Sequence, residues 1–310
     1  MKSPYLRRLF LMVFGLCFGV LGLELGLRLL YPNSAVGGAT KFEFEVGAYK
    51  NYQADSETGF MPKLGNGFYD EVGCLPNCYA LHEAHAPRLL FVGDSVTRRG
   101  KIIEALEKAY GSKNFEYWNA GVESFNVAQE LVFFRRHNAA VNPKHVILTL
   151  HNNDYLETPL VFARGGKLEI FATHRTRESI NPWLFENSHS YRWISGWILS
   201  SSQRSQQRER MRADLAAFAE EASQRGAAFS VLVLPVLKDE KAWKSVELSN
   251  HLTSLELLKE LKIRHFDLRL PLQKALAKGV AVEQEPGDSW HPSPEVSDYF
   301  ASYLKEQQLL

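Results

Sequence analysis

A serine, an aspartate and a histidine in this sequence could together perform nucleophilic catalysis. Ser95 comes shortly after the apolar run Leu89–Val92, and Asp288 stands three residues before His291. A serine hydroxyl becomes a nucleophile when a base takes its proton, and the base needs an acidic group that fixes its tautomer. These residue types therefore predict attack by Ser95, with His291 as the base and Asp288 as its partner.

Two further segments could stabilise the negative charge that develops on a reacting oxygen. Gly121 ends a second apolar run, and a glycine lets a backbone N–H approach a ligand closely. Asn153 follows a third apolar run, and its side-chain amide could donate a hydrogen bond. Ser95 itself precedes a helical pattern, so the helix dipole favours the same charge. Ser95 is not part of a Gly-x-Ser-x-Gly motif, which leaves the α/β-hydrolase fold unsupported.

The part of the chain from Arg88 onward alternates short apolar runs with helical patterns. This alternation predicts a parallel sheet with helices on both faces. Strands are expected at Leu89–Val92, Phe115–Trp118, His145–Leu150, Phe229–Leu234 and His265–Leu268. Helices are expected at Ile102–Tyr110, Val127–Asn138, Gln206–Arg225, Leu255–Leu261 and Pro294–Leu304. Such sheets bind ligands at the carboxyl ends of their strands, where Ser95, Gly121 and Asn153 fall.

The N-terminal residues predict a membrane helix. Basic residues precede an apolar stretch over residues 9–31, and a helix of that length would be roughly 35 Å long, enough to cross a bilayer core of about 30 Å. Glu24 and Arg28 can pair near its far end. The basic residues predict an inside N-terminus, with the rest of the chain extracytoplasmic, either periplasmic or at the cell surface. A cleaved signal peptide and a buried helix of a cytoplasmic protein are the alternatives.

The sequence contains three cysteines, of which Cys17 lies in the apolar stretch. Cys74 and Cys78 flank a Pro-Asn turn, and in an oxidising compartment this spacing predicts a disulfide. His82 and His85 follow, but zinc fingers separate their cysteine and histidine pairs by about 12 residues. We therefore expect a Cys74–Cys78 disulfide and no metal site.

Composition divides the chain into three parts. Residues 1–31 form the N-terminal signal-anchor helix, and residues 32–86, which lack a periodic pattern, form a stalk or irregular extension. Residues 87–310 form the catalytic domain. Within it, residues 156–200 are rich in Trp, Phe and Tyr, and we expect an insertion that covers the site, lies on the membrane or forms a separate apolar cluster.

Taken in order, the candidate site residues resemble the markers of the SGNH (GDSL-type) hydrolase family, which are Ser, Gly, Asn and His. The matching positions are Ser95, Gly121, Asn153 and His291, the last preceded by Asp288 in an Asp-x-x-His motif. The resemblance covers roughly residues 88–304, and the ordered set is more specific than any single motif. It implies a three-layer α/β/α fold of the flavodoxin-like type, with a doubly wound parallel sheet.

The resemblance also implies a chemistry. Members of the family hydrolyse esters without a metal or another cofactor. In this chain Ser95, His291 and Asp288 would form the triad, and the oxyanion hole would consist of the Ser95 and Gly121 N–H groups and the Asn153 amide. One departure is His151, because the family's third block usually begins with glycine at this position.

We therefore expect a membrane-anchored serine esterase that removes O-acyl or O-acetyl groups from envelope glycans or lipids. An O-acyltransferase acting on envelope polysaccharide would use the same residues, and a catalytically inactive binding or assembly module could keep the same fold. The net charge of +1 gives no electrostatic reason to expect a nucleic-acid partner.

Overall fold

The computed structural model describes residues 4–30, 40–43, 51–156, 158, 160–164, 167–172, 181–198 and 203–310. The chain divides into two compact units. One, here called the accessory unit, consists of the segments Met1–Tyr49 and Glu157–Gln203. The other, here called the body, consists of Lys50–Leu156 and Arg204–Leu310, and it contains every candidate site residue.

Strands and helices are numbered in chain order through both units. The strands are β1 (Thr40–Glu43), β2 (Tyr52–Asp55), β3 (Gly59–Pro62), β4 (Arg88–Gly93), β5 (Glu116–Gly121), β6 (His145–Leu150), β7 (Leu160–Arg164), β8 (Lys167–Ala172), β9 (Ala228–Val233) and β10 (Arg264–Asp267). The helices are α1 (Pro4–Leu30), α2 (Ser95–Arg99), α3 (Lys101–Tyr110), α4 (Val127–Arg136), α5 (Pro182–Asn187), α6 (His189–Ile198), α7 (Gln203–Gln224), α8 (Ser245–Glu260), α9 (Arg269–Ala277) and α10 (Pro294–Glu306).

The centre of the body is a five-stranded sheet in the order β10-β9-β6-β4-β5. Every neighbouring pair of strands in it is parallel. All residues of β4 and β6 are buried, as expected for strands that helices cover on both faces. The apolar runs in the sequence therefore correspond to the interior strands of the sheet.

Helices cover both faces of this sheet. The largest apolar side chains that α4, α7 and α8 contribute to one face include Phe134, Phe218 and Leu257. Those that α3, α9 and α10 contribute to the other face include Leu106, Leu272 and Phe300. The body is thus a three-layer α/β/α structure around a doubly wound parallel sheet, and the predicted fold class is confirmed.

The strand order reverses at β4. The chain forms β5 on one side of β4 and then returns to form β6 on the other side. In doubly wound sheets, ligands bind in the crevice outside the carboxyl ends of the strands at such a reversal. The residues that follow β4 and β6, from Asp94 and His151 onward, begin at this crevice.

Residues 51–86 belong to the body, although the sequence predicted a stalk there. Phe60 and Tyr69 are 0% exposed, so the segment contributes to the packed interior. The Gln129 side-chain amide donates to the Thr58 carbonyl at 2.7 Å and ties the segment to α4. The predicted domain boundary at residue 87 is therefore wrong, because aromatic residues of an irregular segment are packed against the body.

All three cysteines are free thiols, and the predicted disulfide between Cys74 and Cys78 is wrong. The Cys74 side chain is fully buried, whereas Cys78 is exposed. The Asp70 carboxylate accepts the Cys74 backbone N–H at 2.8 Å, in a turn that faces Cys74 toward the interior. Burial raises the pKa of the Cys74 thiol well above its ordinary range, so this residue packs as a small apolar side chain.

The accessory unit contains a three-stranded antiparallel sheet and the helices α1, α5 and α6. Strand β8 pairs with β1 on one side and with β7 on the other. The segment Glu157–Gln203 of this unit overlaps residues 156–200, where the sequence predicts an aromatic-rich insertion. Residues 32–39 and 44–50 of the predicted stalk lie outside the described residues. The side chains of Phe162, Phe171 and Trp197 are also outside them.

Within the described ranges, one helix segment is long and apolar enough to cross a membrane. It is Arg7–Leu30 of α1, and none of its most apolar stretch is buried against the protein. Near its C-terminal end, Arg28 Nε lies 2.7 Å from Glu24 Oε1, which is the ion pair expected from their spacing. A signal sequence near the N-terminus can pass the same test of length and hydropathy.

Candidate active site

Ser95 is held at the end of β4 by a tight turn from strand to helix. A Cβ on Gly93 would lie 2.0 Å from the Thr149 hydroxyl oxygen, so only glycine fits there. Asp94 caps α2, and its Oδ1 accepts the Val96 backbone N–H at 2.8 Å. Because Ser95 is the first residue of α2, its own N–H has no partner within the helix.

Asp288 and His291 lie in the loop that precedes α10. His291 Nδ1 donates to Asp288 Oδ2 at 2.6 Å. Asp288 Oδ1 accepts the backbone N–H of Trp290 at 3.1 Å and that of His291 at 3.3 Å. The Ser293 hydroxyl then caps α10 and fixes the end of the loop. The loop thus holds the carboxylate and the imidazole in one orientation.

This loop brings His291 to Ser95 from a distant part of the sequence. His291 Nε2 lies 2.8 Å from Ser95 Oγ. Since the Nδ1 proton is donated to Asp288, Nε2 is left as an acceptor for the Ser95 hydroxyl. The His291 and Asp288 side chains are only 12% and 19% exposed, which partly shields them from water. The arrangement can take the serine proton as Oγ attacks a carbonyl carbon.

The negative charge of Asp288 is stabilised by its surroundings. Burial alone would raise the pKa of this carboxyl, but hydrogen bonds from the His291 side chain and the Trp290 backbone outweigh burial, and the pKa is lowered. Arg99 adds a positive charge, with its Nη1 3.6 Å from Asp288 Oδ2. An ionised Asp288 favours the imidazolium that forms when His291 takes a proton.

Gly121 does not have the role that the family resemblance implies. Its backbone N–H donates to the Asn119 side-chain oxygen at 2.9 Å and is not available to an oxyanion. A Cβ at this position would lie 2.2 Å from the Arg98 backbone nitrogen. Glycine is required here because β5 and α2 approach closely, and the prediction of Gly121 as an oxyanion donor is wrong.

The Asn153 amide lies beside Asp94, the residue that caps the helix beginning at Ser95. Its Nδ2 donates to Asp94 Oδ2 at 2.7 Å, and its Oδ1 accepts from His151 Nδ1 at 3.3 Å. These two bonds fix the orientation of the amide and leave its second hydrogen for another acceptor. The Ser95 N–H and the Asn153 amide are therefore the donors that remain available from the predicted oxyanion hole.

His151, at the position where the family usually has glycine, is almost fully buried at 3% exposure. Its ring packs edge-to-face on the Trp290 ring, with centroids 4.8 Å apart. Burial lowers the pKa of His151, so its imidazole is neutral and its one proton is the one donated to Asn153. Trp290 is 40% exposed and forms an aromatic surface next to His291.

Two buried carboxyls close to Asn153 were not identified from the sequence. Glu130 in α4 is 1% exposed, and Asp154 after β6 is 5% exposed. Both Glu130 oxygens lack a hydrogen-bond partner among the described residues. Burial, and then the repulsion of neighbouring carboxylates, raises the pKa of both groups well above the ordinary range. Val127 and Phe134, on the same face of α4, are the sequence signal that could have indicated burial of Glu130.

Two histidines that belong to no motif have structural partners. His145 Nε2 lies 2.9 Å from Ser230 Oγ, and His251 Nε2 donates to Asp267 Oδ1 at 3.0 Å. In the part of the chain that the structure describes, no group of three or more His, Cys, Asp or Glu side chains is arranged to hold a metal ion.

Comparison with known proteins gives similarity to solved structures only. No protein-family model and no curated protein matches the chain in sequence. An α/β hydrolase from the metagenome of Lake Arreo, Spain, is 10% identical, with a TM-score of 0.48 over 74% of this chain and 98% of that chain. An acetylxylan esterase from Geobacillus stearothermophilus is 13% identical, with a TM-score of 0.46 over 71% of this chain and 93% of that chain.

A GDSL-like lipase from Bacteroides thetaiotaomicron is 15% identical, with a TM-score of 0.42 over 72% of this chain and 89% of that chain. These three likenesses all have TM-scores below 0.5 and by themselves assign neither a family nor an activity.

The buried Glu130 generates a prediction about stability and pH. The unfolded chain releases the Glu130 proton near the ordinary pKa of glutamate, whereas the folded chain keeps that proton to a higher pH. The wild-type protein therefore loses stability as pH rises through this window, and Glu130→Gln does not. Thermal unfolding of the full chain in detergent should show that the Tm of Glu130→Gln minus that of wild type increases between about pH 5 and about pH 8.

Exposed Glu295 supplies the matched control, because Glu295→Gln changes a solvated carboxyl on the surface of α10. Its Tm difference from wild type should stay nearly constant over the same range. A Tm difference for Glu130→Gln that stays constant or shrinks with rising pH would mean that the buried group is ionised.

The contact between His151 and Asn153 generates a second prediction. If the Asn153 amide is the oxyanion donor that the sequence predicts, Asn153→Ala should lower kcat for p-nitrophenyl acetate by about 10²–10³-fold. His151→Ala removes the bond that orients this donor and should cost up to about tenfold. Since His151 acts through Asn153, the double variant should be no slower than Asn153→Ala alone. Steady-state hydrolysis gives each kcat.

Ser302→Ala, on the exposed surface of α10, should leave kcat unchanged and controls for general effects of substitution. If His151→Ala lowers kcat by the same factor in the Asn153→Ala variant as in the wild-type chain, the two residues act independently.

Proposed function

We propose that this protein is a serine esterase that hydrolyses carboxylic esters, with Ser95 as the nucleophile, His291 as the base and Asp288 as the acid of the triad. The observation that carries the proposal is the 2.8 Å contact between Ser95 Oγ and His291 Nε2, which continues at 2.6 Å from His291 Nδ1 to Asp288. Hydrogen-bonded serine, histidine and carboxylate in this order recur on unrelated hydrolase folds.

In the first half of the proposed reaction, Ser95 Oγ attacks the ester carbonyl carbon and its proton passes to His291 Nε2. The resulting oxyanion accepts hydrogen bonds from the Ser95 N–H and the Asn153 amide. The bond between the carbonyl carbon and the alcohol oxygen then breaks, and His291 returns the proton to the leaving alkoxide. Ser95 now carries the acyl group.

In the second half, water attacks the acyl-enzyme while His291 takes one of its protons. The bond to Ser95 Oγ breaks, the acid is released, and His291 returns the proton to the serine oxygen. The reaction uses no cofactor. A sugar hydroxyl that replaced water at this step would receive the acyl group instead, and the same residues would then act as an O-acyltransferase.

The proposed substrates are O-acyl or O-acetyl esters of envelope glycans or lipids. With α1 as a single-pass anchor and the N-terminus inside, the body faces the periplasm or the cell surface, where these substrates occur. The 40% exposed Trp290 supports this assignment, because an aromatic surface beside the triad suits an acyl chain or the apolar face of a sugar ring.

The test is hydrolysis of p-nitrophenyl acetate and of acetylated glycans by the purified full chain in detergent. Ser95→Ala and His291→Ala should each lower kcat by more than about 10⁴-fold, because either change removes the nucleophilic step. Asp288→Asn should cost about 10⁴-fold, because an asparagine favours the wrong tautomer of His291.

Two exposed residues of the same types serve as controls. Ser302→Ala and His82→Ala change a serine and a histidine at the surface of the body and should retain wild-type kcat. Undiminished hydrolysis by Ser95→Ala would contradict the proposal. Absence of hydrolysis by the folded wild-type chain would favour a binding module, and transfer of labelled acetyl to a glycan with little free acetate would identify a transferase.

A further inference from the structure

The carboxylate of Glu24, close to the C-terminal end of α1, is bound by the start of α6. It accepts the backbone N–H groups of His189 at 3.0 Å and Ser190 at 2.8 Å. It also accepts the hydroxyls of Ser188 at 2.9 Å and Ser190 at 2.6 Å. A carboxylate in this position caps the helix and is favoured by the helix dipole. These contacts join α1 to a specific site in the same unit.

Arg28 completes the junction. Its Nε donates to Glu24 Oε1 at 2.7 Å, and its Nη2 donates to the Asn187 carbonyl at 2.7 Å. Asn187 is the last residue of α5, so the arginine lies where the dipole of a helix favours a positive charge. One ion pair on α1 therefore contacts both short helices.

The position of Glu24 along α1 gives the depth in the bilayer at which the start of α6 lies. If the bilayer core begins at Leu9, where the apolar stretch starts, Glu24 lies about 22 Å along the helix axis. A hydrocarbon core of about 30 Å then ends about 8 Å beyond Glu24. Helices that lie in a membrane interface bury their apolar faces about 5–10 Å below the headgroups. The start of α6, which is bonded to Glu24, lies at this depth.

The side chains of α5 and α6 suit such a depth. Trp183 is 68% exposed, Trp193 is 42% exposed and Ile194 is 37% exposed. Tryptophan is enriched at both interfaces of membranes, where its ring contacts acyl chains and its N–H contacts water or headgroups. These residues form an exposed apolar surface close to the start of α6, which is hydrogen-bonded to α1.

We propose that α5 and α6 form an interfacial helix pair that lies in the outer leaflet of the membrane crossed by α1, held there by Glu24 and Arg28. The partner of the exposed tryptophans is the lipid surface. The mature protein then keeps α1, because the junction needs Glu24. This proposal shares with the proposed function the assignment of α1 as a membrane span with its N-terminus inside, and it does not depend on the chemistry of Ser95.

Spin-label accessibility in the full chain tests the proposal. Labels are attached through Trp183→Cys and Trp193→Cys in a cysteine-free background, in vesicles of phosphatidylcholine and phosphatidylglycerol. Both labels should collide more with oxygen, which dissolves in lipid, than with a water-soluble nickel chelate. A label introduced by Lys113→Cys, at an exposed position of the body, should show the opposite preference. Esterase activity is measured on the same samples and reports on the proposed function separately.

Variants at the junction sharpen the test. Glu24→Ala should shift the Trp193 label toward the nickel chelate, and Ser190→Ala should shift it in the same direction by less, because it removes one hydroxyl donor. Leu16→Ala, at a 70% exposed position of α1, should leave it unchanged. A Trp193 label as accessible to the chelate as the Lys113 label would overturn the proposal. So would a purified mature chain whose mass lacks α1.

Discussion

The parallel pairing of β4 with β6 is the constraint on which the site depends. Its register sets Val92 beside Leu148, so the residues that follow the two strands emerge together at one edge of the sheet. Asp94 contacts the segments that follow both strands. It caps the helix that begins at Ser95, after β4, and its carboxylate accepts a hydrogen bond from the Asn153 amide, after β6, at 2.7 Å. The sheet therefore brings Ser95 and the Asn153 amide to one edge, and the loop with His291 reaches Ser95 there.

Much of this fold could be predicted from the sequence because buried parallel strands are continuous apolar runs. The predicted strand at His145–Leu150 has the same bounds in the structure, and the others differ by a few residues. Helix α9 was missed because it is short and has a proline at its third residue, where the first turn tolerates it. Residues 51–86 were predicted to be a stalk because their apolar residues have no regular spacing. Such residues can still pack in the core of a domain.

The part of the candidate site that could be predicted from residue type and spacing is the set of Ser95, Asp288 and His291. Asp288 and His291 are close in sequence, so a single loop can hold them, and Ser95 follows a strand that ends at the ligand-binding edge. The state of the Gly121 N–H could not be read from the sequence, because its partner is the side chain of Asn119. Glu130 likewise resembles a surface residue until its helix is packed against the sheet.

The buried carboxyls Glu130 and Asp154 affect the charge around the site. Glu130 and Asp154 lie where their charged forms are disfavoured, close to the ionisable groups of the site. Keeping such groups neutral limits the negative charge near Asn153, whose amide is proposed to meet an oxyanion. Asp288, which faces His291, has by contrast a lowered pKa.

The most direct test of the central claim is covalent labelling by a fluorophosphonate, read by mass spectrometry of the intact full chain and its peptides. We expect one phosphonyl group per chain, attached to Ser95, and no labelling of Ser95→Ala or His291→Ala, because only a serine activated by its base reacts rapidly. A folded wild-type chain that is not labelled, or one labelled at a different serine, would contradict the assignment of Ser95 as the nucleophile.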